Sequence, residues 1–335
     1  MTATSGRALV VPRPGDASVL EVSSREVSLP GSGELLVEVA ASGVNFIEVY
    51  QRTGVYPTPT PFVLGNEGSG RVLAVGADVS GFTVGDLVAW ADAAGSHADH
   101  VLVPADVAVP VPDGVSSEQA AAVMLQGMTA HYLVNSTYPV QPGDGVLVHA
   151  AAGGTGQLLT QLAKAKGAYV IGTVSTEAKA EVARRAGADD VVRYDELGQH
   201  PDGNARLAAA LRAANHDFGF SVVYDGVGRT TWETTVSVVQ PRGMAVLFGA
   251  SSGQVPPFDL QRLNRLGGLF VTRPSLAHYT ATREELLWRA GGVLAAVADG
   301  GLLVDIGARH DLTDAARAYE QLENRRTTGK VVLTR

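Results

Sequence analysis

Val146-Leu147-Val148-His149-Ala150-Ala151-Ala152-Gly153-Gly154-Thr155-Gly156 is the stretch on which the reading of this chain turns. An apolar strand-like run passes into a turn of small residues, and a helix-forming segment follows. The pattern matches the dinucleotide fingerprint G-x-G-x-x-G with Ala151 in place of the first glycine. In that pattern Gly153 lets the backbone approach a pyrophosphate, and Gly156 lets helix and strand pack closely. A helix start also offers unpaired N–H groups and a positive dipole end to phosphates. Glycines alone also serve tight turns for conformational reasons. The strand before, the helix after and the alternation beyond carry the loop past that plainer reading.

Downstream, strands and helices alternate strictly. Strands are expected at Val146–Ala150, Tyr169–Val174, Val191–Tyr194, Ser221–Asp225, Met244–Gly249 and Leu269–Thr272. Helices fit between them at Gly156–Lys166, Glu177–Ala186, Ala205–Ala214, Thr230–Val239 and Leu260–Leu266, the first two ended by Gly167 and Gly187. Such alternation means a parallel sheet covered by helices on both faces. Upstream the texture differs. Short runs at Ala8–Val11, Leu35–Ala41, Gly70–Val75, Leu87–Ala89 and His100–Val103 are divided by glycine and proline, as in an antiparallel barrel. A helix over Ser117–Val134 connects the two regions. A helix at Arg283–Asp299, a strand at Val304–Ala308, a helix at Asp314–Asn324 and a strand at Val331–Thr334 close the chain, and this tail is expected to return to the first domain. No internal repeat or low-complexity linker interrupts it.

The residues after the second strand of the alternating region bear on which dinucleotide binds. An NAD-binding protein places an acid there to accept from the ribose 2′-hydroxyl. Here Val174 is followed by Ser175-Thr176-Glu177-Ala178-Lys179. A serine at the strand end can donate to a 2′-phosphate, which a carboxylate would repel. Lys179 in the first turn of a helix opposes the helix dipole, and a nearby anion explains it better than solvent exposure alone. Glu177 is the rival signal, yet it sits where an ordinary first-turn acid would. The phosphorylated cofactor NADPH is therefore expected.

Composition narrows the class further. The 335 residues are 45% apolar and 18% charged, ordinary values for a globular chain long enough for two domains. A net charge of −8 argues against nucleic acid or an anionic membrane as main partner. Arg325-Arg326 is the nearest approach to a basic cluster, and two adjacent arginines read as a solvated surface pair. No 18-residue apolar segment is present and the N-terminus shows no leader pattern, so a cytoplasmic location is expected. Cysteine is absent, which removes disulfides, thiolate nucleophiles and cysteine zinc sites together. Of the eight histidines, His97 and His100 form the one close pair, with no third ligand near them in sequence.

Several ordered segments resemble the zinc-free quinone oxidoreductase (zeta-crystallin-like) family of the medium-chain dehydrogenase/reductase superfamily. They are Gly43-Val44-Asn45-Phe46-Ile47-Glu48 with Tyr50 and Tyr56-Pro57, Gly65-Asn66-Glu67-Gly68, Gln126-Gly127-Met128-Thr129-Ala130 and the His149–Gly156 loop. Tyr224-Asp225-Gly226-Val227-Gly228, Phe248-Gly249-Ala250-Ser251-Ser252-Gly253, Val271-Thr272-Arg273-Pro274-Ser275 and Thr328-Gly329-Lys330-Val331-Val332 continue the match. The resemblance implies an α/β chain: a GroES-like β-barrel catalytic domain from residues 1–128 and 271–335, and a Rossmann doubly wound parallel-sheet domain from 129–270. An interdomain cleft would hold the active site, and a homodimer joined through the Rossmann sheet edges is expected. Asn45 and Asn66 look like the positions where zinc-dependent relatives carry metal ligands, so no metal is expected here.

The resemblance also implies cofactor contacts. Asn45, Tyr50, Gln126 and Thr129 would flank the nicotinamide, and Gly153, Gly154, Thr155 and Gly156 the pyrophosphate. Ser175, Lys179 and Tyr194 would surround the 2′-phosphate. Phe248, Gly249, Ser251 and Ser252 would line the middle of the cofactor; Ala250, where relatives commonly have a polar residue, is not counted. Val271, Thr272 and Arg273 would reach the carboxamide, and Arg325 or Lys330 could return from the C-terminal segment. The expected reaction is reduction of a quinone by NADPH, with Asn45, Tyr50 and Tyr56 orienting or donating to the acceptor carbonyl. The tyrosines could instead be core aromatics, and Asn45 could simply order its loop. Reduction of an enone or 2-alkenal double bond on the same frame is the enzymatic alternative. A crystallin-like or RNA-binding role is the non-enzymatic one, against which the acidic charge speaks.

Overall fold

The computed structural model describes residues 4–195 and 202–335. The chain forms two compact units, one from residues 1–128 and 280–335 and the other from 129–279. The first unit runs β1 (Thr4–Val11), β2 (Glu21–Val27), β3 (Glu34–Val44), α1 (Phe46–Arg52), β4 (Phe62–Val63), β5 (Gly68–Val75), β6 (Leu87–Trp90), β7 (His100–Pro104) and β8 (Val109–Pro110). Helix α2 (Ser117–Tyr132) follows and carries the chain into the second unit.

β3 is the spine of the first unit, because alternate residues bury on opposite faces. Leu35, Val37 and Val39 enter one core with Trp90, Val101 and Val103, whereas Leu36 packs with Val27 and Ala74. Two features escape a reading by hydrophobic pattern. β2 is almost wholly exposed and pairs antiparallel with β1. α1 lies in a stretch whose hydrophobic pattern predicts no element.

The second unit holds β9 (Gly145–His149), α3 (Gly154–Ala165), β10 (Tyr169–Val174), α4 (Glu177–Arg185), β11 (Asp190–Arg193), α5 (Gly203–Ala214), β12 (Phe220–Asp225), α6 (Trp232–Val238), β13 (Val239–Leu247), α7 (Gln261–Arg265) and β14 (Phe270–Thr272). The strands lie in the order β11-β10-β9-β12-β13-β14 with every pairing parallel. This is the order of a doubly wound sheet. Leu147, Ile171 and Val223 pack on Leu207, Leu211, Trp232 and Val236 of α5 and α6; their sequence neighbours face the other side of the sheet.

The unit boundary falls after Tyr279 rather than after residue 270. Residues beyond β14 stay with this unit because the Tyr279 ring stacks on Tyr132, with centroids 4.3 Å apart and planes 6° from parallel. Thr137 also donates to the Tyr279 hydroxyl at 3.0 Å.

The tail supplies α8 (Arg283–Ala298), β15 (Ile306–Asp311), α9 (Ala315–Glu323) and β16 (Lys330–Thr334). β16 inserts between β15 and β3 in the first unit's seven-stranded sheet, antiparallel to β3. The expected strand at Val304–Ala308 is displaced to Ile306–Asp311. Among the described residues no helix is long and apolar enough to cross a membrane.

Candidate functional site

In the second unit the chain moves from β9 outward to β11, then returns to β12 on the other side of β9. A ligand crevice forms at such a reversal, outside the carboxyl ends of the strands. The loop after β9 is built for close approach. Ala150 takes a left-handed φ of 54°, and Gly153 is an extended N-cap with no side-chain cap bond to the helix. α3 therefore starts at Gly154, earlier than the expected Gly156, and its first-turn N–H groups have no side-chain cap. A Cβ on Gly156 would run into the carbonyl oxygen of Ala150 and come within 2.8 Å of Ala151 Cα.

The facing loop after β12 is held by Asp225, which the motif Tyr224–Gly228 contains but to which the sequence assigns no site role. Its carboxylate accepts from Val227 N at 2.8 Å, Gly228 N at 2.9 Å, Thr231 Oγ1 at 2.8 Å and Thr235 Oγ1 at 2.8 Å. An acid ending a buried strand immediately before glycine was the available signal. Phe248 N donates to Asp225 O at 2.9 Å, Ser251 N to Gly226 O at 3.2 Å, and Ser252 Oγ to Val227 O at 2.8 Å. A Cβ on Gly249 would lie 2.6 Å from Gly226 O. Phe248, Gly249, Ser251 and Ser252 thus gather on the 226–228 turn. Beneath the loops His149 is buried, with Nδ1 2.8 Å from Thr173 Oγ1. Burial holds its pKa below the usual histidine value against the opposing pull of Asp225.

At the end of β10, Ser175 is half-buried and Thr176 caps α4, its hydroxyl accepting from Lys179 N at 3.3 Å. Glu177, the rival acid, is already engaged: Arg184 Nη1 lies 2.8 Å and Arg193 Nη1 3.1 Å from its carboxylate. Tyr194 N donates to Val174 O at 3.0 Å, while its ring packs against the core of Leu147 and Leu207. Val271 and Thr272 lie on β14, the edge strand, where Val271 is exposed; Arg273 just beyond donates to Pro274 O at 3.1 Å.

The first unit holds the other expected residues. Asn45 is the N-cap of α1: Glu48 N donates to the Asn45 backbone carbonyl at 3.3 Å, while Glu48 Oε2 accepts from Asn45 N at 2.6 Å. The Asn45 amide is turned inward. Its Oδ1 accepts from Lys330 Nζ at 2.7 Å and Gln126 Nε2 at 3.4 Å, and its Nδ2 donates to Glu67 Oε2 at 2.8 Å and Gly43 O at 3.1 Å. Two acceptor positions and two donors are all an amide has. Asn45 is also only 3% exposed, so its side chain braces the interior rather than presenting a donor to an acceptor carbonyl.

Lys330 is likewise internal. It forms a 2.5 Å ion pair with Glu67, whose other oxygen accepts from Leu125 N at 2.5 Å within α2. The reach of Lys330 toward a cofactor is thus replaced by support of Asn45 and α2. Burial would raise the Glu48 carboxyl, but the His97 imidazole 3.8 Å away, Asn45 N–H and Lys330 bring it below its ordinary value. His97 is fully buried and bridges Ser42 Oγ and Tyr319 OH at 2.9 and 2.8 Å.

Tyr50 and Tyr56 stand near this bolt. Tyr56 N donates to Tyr50 O at 2.9 Å, and the rings meet edge to face at 5.3 Å. Tyr50 is half-buried and Tyr56 is 41% exposed, so neither is a closed core aromatic. Gln126 Oε1 is buried without a hydrogen-bond partner among the described residues, an acceptor suited to an N–H or hydroxyl of a bound molecule. Thr129 lies three residues on in α2, at the start of the second unit. Arg325 is exposed beyond α9 in a left-handed conformation.

The residues at the positions where zinc-dependent relatives carry metal ligands do not fit a cation. Asn66 donates to Gln51 Oε1 at 3.2 Å, and the oxygen of Asn45 already faces an ammonium. Among the described residues no three His, Cys, Asp or Glu side chains gather as a metal site.

Comparison with known proteins places this geometry. Residues 31–113 match the alcohol dehydrogenase GroES-like domain family, and residues 154–285 match the zinc-binding dehydrogenase family. Quinone oxidoreductase of Pseudomonas aeruginosa is 42% identical over 95% of this chain and 96% of its own length. The 2-haloacrylate reductase of a Burkholderia species is 37% identical, over 92% of each. A mycobacterial protein solved as a complex with NADPH is 45% identical with a TM-score of 0.94, covering 98% of this chain and 100% of that one.

Proposed function

Because the chain belongs to the quinone oxidoreductase family of the medium-chain dehydrogenase/reductases, we propose that it reduces a quinone with NADPH and without a bound metal. The observation that carries the proposal is the pair of glycine-lined turns at the β9/β12 reversal, where a Cβ at Gly156 or Gly249 would strike backbone. When bound, NADPH supplies a hydride from its nicotinamide ring. Gly153, Gly154, Thr155 and Gly156 would hold the pyrophosphate, and Ser175, Lys179 and Tyr194 the 2′-phosphate. Phe248, Gly249, Ser251 and Ser252 would line the middle of the cofactor, with Val271, Thr272 and Arg273 toward the carboxamide. The unpartnered Gln126 oxygen would accept from the nicotinamide end.

Tyr50 and Tyr56 are the donors we assign to the acceptor carbonyl, with Asn45 positioning α1 beneath them. A reduced quinone delocalises its charge and takes protons from solvent, so this modest donor set suffices. Two measurements test the reading. Steady-state rates should favour 1,4-benzoquinone over an α,β-unsaturated ketone; negligible quinone turnover beside good enone turnover would overturn the choice of acceptor. Lys179→Ala should weaken NADPH binding about tenfold or more and leave NADH unchanged, since a charge-assisted contact is worth about 1.5–3 kcal/mol. Equal binding of both cofactors by the unaltered protein would sink the NADPH assignment.

A homodimer through the β14 edge is part of the proposal, supported by exposed Phe270 and Val271 on that strand. Sedimentation of the protein as a monomer would refute it. The net charge of −8 supports a small-molecule partner rather than nucleic acid.

A further inference from the structure

Beyond the residues that the sequence pattern marks for the adenosine end, β11 places a guanidinium there. In the parallel ladder Arg193 stands opposite Val174, the last residue of β10 before Ser175. Side chains alternate along a strand. Val192 and Tyr194 face the core beneath α5, with Leu207 and Leu211. Arg193 takes the other side, where its Nη1 reaches Glu177 in the first turn of α4 at 3.1 Å. The hydrogen bond to Glu177 thus sets Arg193 alongside the segment Ser175–Lys179. Its side chain is 27% exposed, so it is both accessible and partly desolvated.

Glu177 has a second cation. Arg184 Nη1 lies 2.8 Å from its other carboxylate oxygen, and Glu181 also pairs with Arg184. Glu177 can therefore give up Arg193 without becoming an isolated charge. A ribose 2′-phosphate carries more charge than a carboxylate and three acceptor oxygens, so it competes for a guanidinium in a forked geometry. A 2′-hydroxyl cannot.

We propose that Arg193 is a specificity-determining residue for the phosphorylated cofactor, exchanging its Glu177 partner for the 2′-phosphate. The inference rests on the NADPH reading above. Glu177 is the counter-ion that holds Arg193 until a 2′-phosphate replaces it.

The test uses the full chain with 2′,5′-ADP and 5′-AMP as calorimetric probes of the adenosine end. Unaltered protein should prefer 2′,5′-ADP. Arg193→Gln should weaken 2′,5′-ADP about tenfold and leave 5′-AMP unchanged, with a shallower salt dependence, and Arg193→Lys should recover part of the loss. Glu177→Gln should act oppositely and tighten 2′,5′-ADP, because Arg193 no longer has to leave the Glu177 carboxylate, although its Nε keeps Asp195 3.9 Å away. If Arg193→Gln binds 2′,5′-ADP as before, or loses both probes equally, Arg193 has no part in specificity and the NADPH reading stands. If the unaltered protein does not distinguish the probes, that reading falls as well.

Discussion

Lys330→Ala is expected to cost about 3–5 kcal/mol of folding free energy, the toll of leaving a buried carboxylate without its partner. Glu67 is wholly buried and Lys330 is 2% exposed, so water cannot replace the lost ammonium. Asn45 loses an acceptor contact in the same step. Urea denaturation reads the loss directly. The double variant Glu67→Gln/Lys330→Met should regain most of it, since a neutral pair of similar volume removes the stranded charge. A single-variant loss under about 1 kcal/mol would mean that the pair is solvated and that Asn45 is held by something else.

Gly156→Ala is expected to separate folding from cofactor use. The added Cβ meets the backbone of Ala150 and Ala151, which no rotamer change can relieve, so the loop must shift. A displacement on the scale of an ångström lowers kcat/KM for NADPH by about 100-fold. Gly291→Ala on α8, where a Cβ meets nothing within 4 Å, is the control and should leave turnover unchanged. Normal kcat/KM in Gly156→Ala would show that the pyrophosphate does not rest on this loop.

How much of this was legible in the sequence depended on the range of the forces concerned. The β9–α3 unit was legible because an apolar run, a glycine turn and a helical period sit side by side. α1 was not, since Phe46, Ile47, Val49 and Tyr50 follow strand-like residues and give no clean helical stripe. Its signal was the pair Asn45 and Glu48, a cap three residues before an acid. That same asparagine stood where zinc relatives carry a ligand, which drew attention to substrate rather than to structure. β2 carried no apolar alternation, as suits an exposed strand paired with β1. The inward bracing of Asn45 was beyond any local pattern. Lys330 reaches it across 285 positions and Glu67 across 263, and only the insertion of β16 beside β3 brings them together. In the second unit the motif residues lay on the strand ends, but Asp225 and Arg193 act through neighbours set by the sheet order.

The carboxylate of Asp99 has a consequence for the connectivity of the molecule. Arg7 Nε lies 3.2 Å from it and Arg335 Nε 3.5 Å, so residues at opposite ends of the sequence share one anchor. The first unit is thus nearly a closed ring of chain, interrupted once, between residues 128 and 280. The sheet of six parallel strands is topologically an insert in that ring. A short bridge between the two ends of the chain, with a new opening inside the inserted sheet, would make the discontinuous unit continuous in sequence.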